Sequence, residues 1–248
     1  MAVFTLTDLH LAMDELNVSC FANQVDVMAE ADELDVTTFC DGGYRKKITG
    51  NAMFTVNASG FQDYVAPSPA DSFDATVDMI NGGALHTFTV APTGDTVGNV
   101  AYFGEARTTS LTEVSGAVGE VASFTMNTAG VSRLVRGLML HDVTAETATD
   151  TGTIVAFTTP TATESLHAAF HVHSVSGTGT ITFTIQTDDA VGFSSPVTRI
   201  TSSAFADKGH DMLSLAGALA GETHIRVGWT IAGFTSVTFS VAAGVGVA

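Results

Sequence analysis

The sequence predicts an all-β protein with one short helix, and three features carry that prediction. Thr and Val are abundant beside 24 Gly and only 5 Pro in 248 residues, the composition of β-branched strands joined by tight turns. Apolar residues recur at every second position through most of the chain, the period of a half-buried strand. Clusters of Gly, Pro, Asn, Asp and Ser separate these runs. The length suits one large or two modest domains, and a composition shift near Gly130–Gly137 divides the chain into residues 1–137 and 138–248.

Residues 1–22 admit two readings. Leu6, Leu9, Met13 and Leu16 fit a helical stripe capped by Thr7, whereas Leu9, Leu11 and Met13 form one face of a strand closed by a turn at Asp14-Glu15. Periodicity does not decide over so short a run. From Asn23 to Asp63 the pattern is clearer. Val25 and Val27 share one strand face, with Asp26, Met28 and Glu30 on the other; Phe54, Val56 and Ala58 face away from Met53, Thr55 and Asn57. Asp41-Gly42-Gly43 suits a hairpin tip, since glycine accepts the positive φ of such turns, and a basic cluster of Arg45, Lys46 and Lys47 follows it. Pro67 and Pro69 end the second strand. Asp71–Ile80 then reads as a helix, with Phe73, Val77 and Ile80 on one face and Gly82-Gly83 stopping it. Strands follow at Ala84–Val90, Val100–Thr109 and Gly119–Met126, while Thr108–Ala117 is strand-like but loosely patterned.

A Thr/Ala/Asp-rich stretch, Thr144–Thr153, reads as a linker. Beyond the division, strands are expected at Thr153–Thr158, Leu166–Val175, Thr180–Thr187, Pro196–Thr201, His224–Ile231 and Ser236–Val247. Phe170, Val172, Ile181, Phe183, Ile185, Ile225, Val227, Trp229, Ile231, Val237, Phe239 and Val241 alternate inward. Two antiparallel sheets around Trp229 make a sandwich of immunoglobulin-like or jelly-roll kind.

The net charge is −17. A chain this acidic should not bind nucleic acid through its phosphates, because such binding depends on Lys and Arg neutralising them. Acidity by itself is most often a solubility device. From Met1 to Asp41 there are nine acids and no Lys or Arg, a pattern that usually marks a solvated face. Both parts are acidic: residues 1–137 hold 17 acids and 6 bases, residues 138–248 hold 9 and 3. No apolar run approaches the ~20 residues of a membrane span. The N-terminus lacks the layout of a secretion signal, so assembly in the cytoplasm is the simplest expectation. In that compartment Cys20 and Cys40 are expected as buried small hydrophobes rather than a disulfide.

The motifs of catalysis are missing. The sequence contains no GxSxG, no GxxxxGK[ST], no HExxH and no suitably placed GxGxxG, and nothing marks a pair of carboxylates as acid and base. Asp188-Asp189 sits at a predicted strand end and reads as a turn. These observations argue against an enzyme, and no cofactor is expected. One pattern has metal-like spacing: His167, His171 and His173 would share a face of one strand. Imidazoles so placed can hold zinc or nickel, yet no cysteine or acid completes the set, so three histidines on a polar or subunit-facing surface are the expectation.

Two blocks carry a resemblance. The first is an acidic strand running into DELDVTTF, then a Gly-rich turn, a basic-aromatic patch and ITG followed by FTVNASGFQD; the second is GNVAYFGEARTTSLTEVSGAVGEVASFTMNTAG, Gly98 to Gly130. Together they resemble the major tail-tube proteins of long-tailed, non-contractile, siphovirus-type bacteriophages, and the remainder resembles a β-sandwich often appended to them. The resemblance implies that residues 1–137 form a tail-tube domain contributing strands to a barrel shared around a ring, typically of six subunits. Rings would stack head to tail in the virion tail, alongside other tail proteins, with residues 138–248 outside as decoration. It favours the strand reading of residues 1–22. Asp26, Glu30, Asp32, Glu33 and Asp35 would then line a lumen through which double-stranded DNA passes without specific binding, and Arg45, Lys46 and Lys47 would dock on acids of the next subunit. The alternatives are a carbohydrate- or receptor-binding virion sandwich and a head-decoration protein.

Overall fold

A computed structural model describes residues 6, 8–38, 44–61, 85–219 and 221–247. The described chain is all-β; the expected helix at Asp71–Ile80 and the expected turn at Asp41-Gly42-Gly43 lie outside the described residues. The strands are β1 (His10–Met13), β2 (Leu16–Asn17), β3 (Ala22–Asp35), β4 (Lys47–Phe61), β5 (His86–Ala91), β6 (Val100–Ser115), β7 (Ser123–Gly130), β8 (Val135–Glu146), β9 (Asp150–Thr151), β10 (Val155–Ala156), β11 (Glu164–Asp188), β12 (Val197–Thr201), β13 (Gly209–Ala216) and β14 (His224–Val247).

The N-terminal stretch is a strand, not a helix. β1 and β2 form a small antiparallel pair closed by the Asp14-Glu15 turn, and Asp14 there takes a left-handed φ of 52°, a region Asp tolerates better than most residues. β1 continues onto β5, and β5 onto β6. The later part of β6 pairs with β7, β7 with β4, and β4 with β3. β6 therefore joins two layers, and between them Leu11, Met13, Phe54, Val56, Phe88, Val90, Phe124 and Met126 form a core. Val25 and Val27 are half-buried against it, as their alternation requires.

In the C-terminal part the sequence suggested four separate strands where there are two. β11 and β14 each run unbroken, and they pair from Glu164↔Val247 to Asp188↔His224. Register shifts near Ser176, Gly177 and Thr180 bend the ribbon. Gly177 and Gly233 both sit at φ +90°, and a Cβ on Gly179 would lie 2.2 Å from the Ala232 carbonyl. Because glycines interrupt the apolar pattern there, one bent strand reads as two. The bend lays the ribbon on itself: Phe170 and Phe183, both on β11, stack at 5.3 Å. One folded ribbon thus supplies both layers of the sandwich core, which includes Leu166, Ile185, Val227, Trp229, Phe239 and Val241. β13 flanks β11 and was not expected; its Gly-His-Asp opening hides its later alternation. The strand expected at Thr153–Thr158 reduces to β10, and the expected linker is partly sheet, since β8 continues to Glu146 and β9 follows.

β8 also spans the division at residue 137. Its first residues pair with β6 and its later ones with β14. Beside this seam lies a third cluster of mostly small residues, Ala91, Ala101, Phe103, Val135, Met139, Ala169 and Ala242. The expectation of buried cysteines fails for Cys20, which is exposed and free; Cys40 lies outside the described residues. The turn reading of Asp188 is correct: β11 ends there, and its carboxylate accepts hydrogen bonds from Ala190 N (2.9 Å) and Ser195 N (2.8 Å). Those bonds hold its pKa below the usual carboxylate range.

Candidate functional site

The most unusual surface is the β3–β4 hairpin. Fourteen residues of β3 span about 45 Å at strand rise, but only the first half lies against the core. From Met28 to Asp35 on β3 and from Lys47 to Met53 on β4 every residue is exposed except half-buried Gly50. Over this length the hairpin is a two-stranded arm open on both faces. Among the described residues β3 pairs only with β4, which leaves its outer edge without a described strand partner. Met28, Leu34, Ile48 and Met53 on this arm are each 44–49% exposed, and at its base Ala29, Ala31, Ala52, Met53, Leu134 and Arg133 line a concavity of about 420 Å³.

The five acidic residues read from the sequence all lie on β3 and are all exposed, Glu30, Asp32, Glu33 and Asp35 on the arm and Asp26 just before it. Asp26 and Glu30 share the face opposite Val25 and Val27, in register with Asn57 and Met53. A register shift between Ala31 and Glu33 interrupts the alternation, so Asp32, Glu33 and Asp35 form a second group toward the tip. Asp35 accepts from Thr37 N at 2.9 Å, and its hydrogen bonds to Thr37 hold its carboxyl below the usual range. Lys46 N donates to Thr37 Oγ1 at 2.9 Å, carrying cross-strand pairing beyond the ends of β3 and β4.

The basic cluster does not act as one unit. Lys47 Nζ lies 2.6 Å from Glu33 Oε1 across the hairpin, so one of the expected docking cations is paired with one of the expected lumen acids. Both groups are exposed, and such a pair contributes about 0–1 kcal/mol. Arg45 and Lys46 lie beside it, exposed.

The three histidines of β11 are placed differently from one another. His171 Nδ1 donates to the Asp14 carbonyl at 2.6 Å and its Nε2 accepts from Thr89 Oγ1 at 2.7 Å. His173 Nδ1 donates to the Glu15 carbonyl at 2.8 Å and its Nε2 accepts from Ser240 Oγ at 2.9 Å. His167, nearer the start of β11, is half-buried, and its Nε2 has no partner among the described residues. Both nitrogens of His171 and His173 are thus spent on protein groups.

Sequence reasoning missed the centre of this network, the Asp14 carboxylate. It is buried and accepts from Thr87 N at 2.8 Å and from His86 Nδ1 at 2.6 Å, with His210 Nε2 at 3.2 Å. A turn of two residues therefore ties β1 to β5, β11 and β13. No sequence signal marked it: His10, His86, Thr87 and Thr89 sit on strands whose every residue is buried, which alternation does not reveal.

Among the described residues, no helix is long and apolar enough to cross a membrane. No family model matches the chain, and no curated protein matches it. Among solved structures the chain is similar to one from the virion of the native gene transfer agent particle, at 18% identity over 53% of this chain and 97% of that one, with a TM-score of 0.43. It is similar to the SPP1 tail tube at 12% identity, covering 52% of this chain and 76% of that one, TM-score 0.39. Similarity to the SPP1 Dit protein extends over 96% of this chain and 99% of that one, at 10% identity and a TM-score of 0.36.

Proposed function

We propose that this chain is a non-enzymatic structural subunit of a bacteriophage tail tube. Copies of it join into rings, taken as hexamers from the family resemblance, and the rings stack head to tail with other tail proteins. The observation that carries this reading is the hairpin arm. A sheet edge that is long, exposed and partly apolar is an aggregation liability in a monomer, and a second copy removes the liability by pairing the edge and covering Met28, Leu34, Ile48 and Met53. A repeated head-to-tail contact of this kind closes into a ring when its rotation closes.

In the ring, residues 1–137 form the tube wall and residues 138–248 decorate its outside. The wall turns Asp26 and Glu30 toward the lumen, with Asp32, Glu33 and Asp35 nearer the rim. Carboxylates there repel phosphates, so double-stranded DNA slides through unbound. Arg45 and Lys46 remain the docking cations toward the next subunit, now without Lys47. The sandwich offers sugars little purchase, since Trp229 is buried and donates its Nε1 to the Ala148 carbonyl at 2.9 Å.

Electron microscopy of concentrated protein tests this: hollow filaments of uniform diameter are expected, and a monodisperse monomer at every concentration overturns it. In assembled particles, Asp26→Lys with Glu30→Lys should slow DNA ejection; an unchanged rate removes the lumen assignment while leaving the tube intact.

A further inference from the structure

We propose that the Asp14-Glu15 turn and His210 form a binding site for one first-row divalent metal ion of the zinc type, held by the two carboxylates and by His210 Nε2. The ion joins the two parts of the chain, since the carboxylates belong to residues 1–137 and the imidazole to residues 138–248. This goes beyond the tail-tube reading and does not depend on it.

One ligand atom from each of the three side chains lies within 4.8 Å of the other two. His210 Nε2 is 3.2 Å from Asp14 Oδ1. That is longer than the about 2.7–2.9 Å of a charge-assisted hydrogen bond, and it matches the about 3.3 Å between two ligands of a tetrahedral ion with bonds near 2.0 Å. Neighbouring residues of a strand point to opposite faces. Asp14 and Glu15 converge on one imidazole because Asp14 leaves the extended conformation, at φ 52°. From the other side, the register of β11 with β13 sets His210 directly opposite His171. His171 Nδ1 donates to the Asp14 carbonyl at 2.6 Å, so β13 delivers its imidazole to the same turn.

The surrounding groups suit such a site. Asp14 Oδ2 is spent on His86 Nδ1 at 2.6 Å, while Oδ1 accepts from Thr87 N at 2.8 Å and keeps a second lone pair for the ion. Hydrogen bonds of this kind orient a ligating carboxylate. His171 and His173 donate to the Asp14 and Glu15 carbonyls and fix the backbone of the turn. Glu15 and His210 are half-buried, and Glu15 opens on a concavity of about 330 Å³, which gives an ion a way in and a water room as fourth ligand. Glu105 of β6 interacts electrostatically with both His210 and Asp211. Four carboxylates thus gather here, against Lys208, which lines the same concavity. One imidazole with two carboxylates suits zinc and its first-row neighbours. Calcium takes about six to eight oxygens, more than the turn offers.

Isothermal titration of the chelator-treated full chain with zinc chloride at neutral pH tests this, with circular dichroism checking that each variant is folded. One zinc per chain is expected. Its affinity should fall by about tenfold or more in His210→Gln and in Glu15→Gln. It should be unchanged in His167→Gln and in Cys20→Ser, which remove zinc-competent groups elsewhere in the chain. Zinc should also raise the thermal midpoint of the unaltered chain and of these two controls, and leave the two site variants where they are. Calcium chloride at the same concentrations should give neither heat nor a shift. No binding of zinc, binding retained in both His210→Gln and Glu15→Gln, or calcium matching zinc overturns the proposal. If one site variant does not fold, the other decides together with the zinc-dependent midpoint of the unaltered chain.

Discussion

At the scale of single residues, Asp14 organises more of this molecule than any other side chain described. It sits in a conformation that Asp and Asn accept and most residues do not, and its carboxylate is buried with three donors around it. Asp14→Asn preserves the backbone preference and replaces one acceptor oxygen with a donor. Thr87 N can still be satisfied, but His86 or His210 loses its partner. Leaving a buried polar group unpaired costs about 1–3 kcal/mol, so urea denaturation at pH 7.5 should show a loss of that size; an unshifted midpoint would show that the cluster contributes nothing. None of this was legible in the sequence beyond the turn itself. Alternation assigns the polar positions of a strand to water, and β1 and β5 are buried on both faces. His10, Thr87 and Thr89 therefore look like surface residues until the second layer is in place.

At the scale of elements, the β11–β14 ribbon and the β3–β4 arm show opposite uses of long strands. The ribbon is bent so that it buries its own face. Gly233 has φ +90°, and a Cβ there would lie 2.7 Å from the Thr178 carbonyl, so Gly233→Ala should destabilise the fold by about 1–3 kcal/mol, measured by the same denaturation. The arm, by contrast, is left exposed on both faces along most of its length. Leu34→Glu with Ile48→Glu should leave monomer stability within about 0.5 kcal/mol, as for ordinary surface changes, yet abolish assembly seen by sedimentation. Assembly unaffected by both changes would mean the arm is not the contact. The faces of β3 and β4 were readable from alternation, because a core packs one side of their first halves. That the outer halves leave the body was not readable, since the same alternation continues while the core does not.

At the scale of the whole molecule, net charge and connectivity matter most. Copies carrying −17 each repel one another, and this repulsion is screened over about 8 Å at physiological salt against about 30 Å at 0.01 M. Light scattering should therefore show assembly at lower protein concentration as salt rises; the reverse trend would place ion pairs such as those of Arg45 and Lys46, rather than apolar burial, at the centre of the contact. Connectivity works against a simple two-part description. β8 pairs with β6 at one end and β14 at the other, so the sheet passes through the compositional division without a break, and the hydrogen bonds around the Asp14-Glu15 turn add a second tie.

The sequence by itself determined the strand class, the inward residues of most strands, the acidic face of β3 and the absence of familiar catalytic motifs, because each depends on local periodicity or local residue chemistry. Only the tertiary structure decided that two pairs of strands are one bent ribbon, that Lys47 is spent on Glu33, and that buried histidines from both parts meet at one turn. Those outcomes depend on which surfaces touch across long stretches of chain, and a period of two along a strand is the same whether the polar side meets water or another layer of protein.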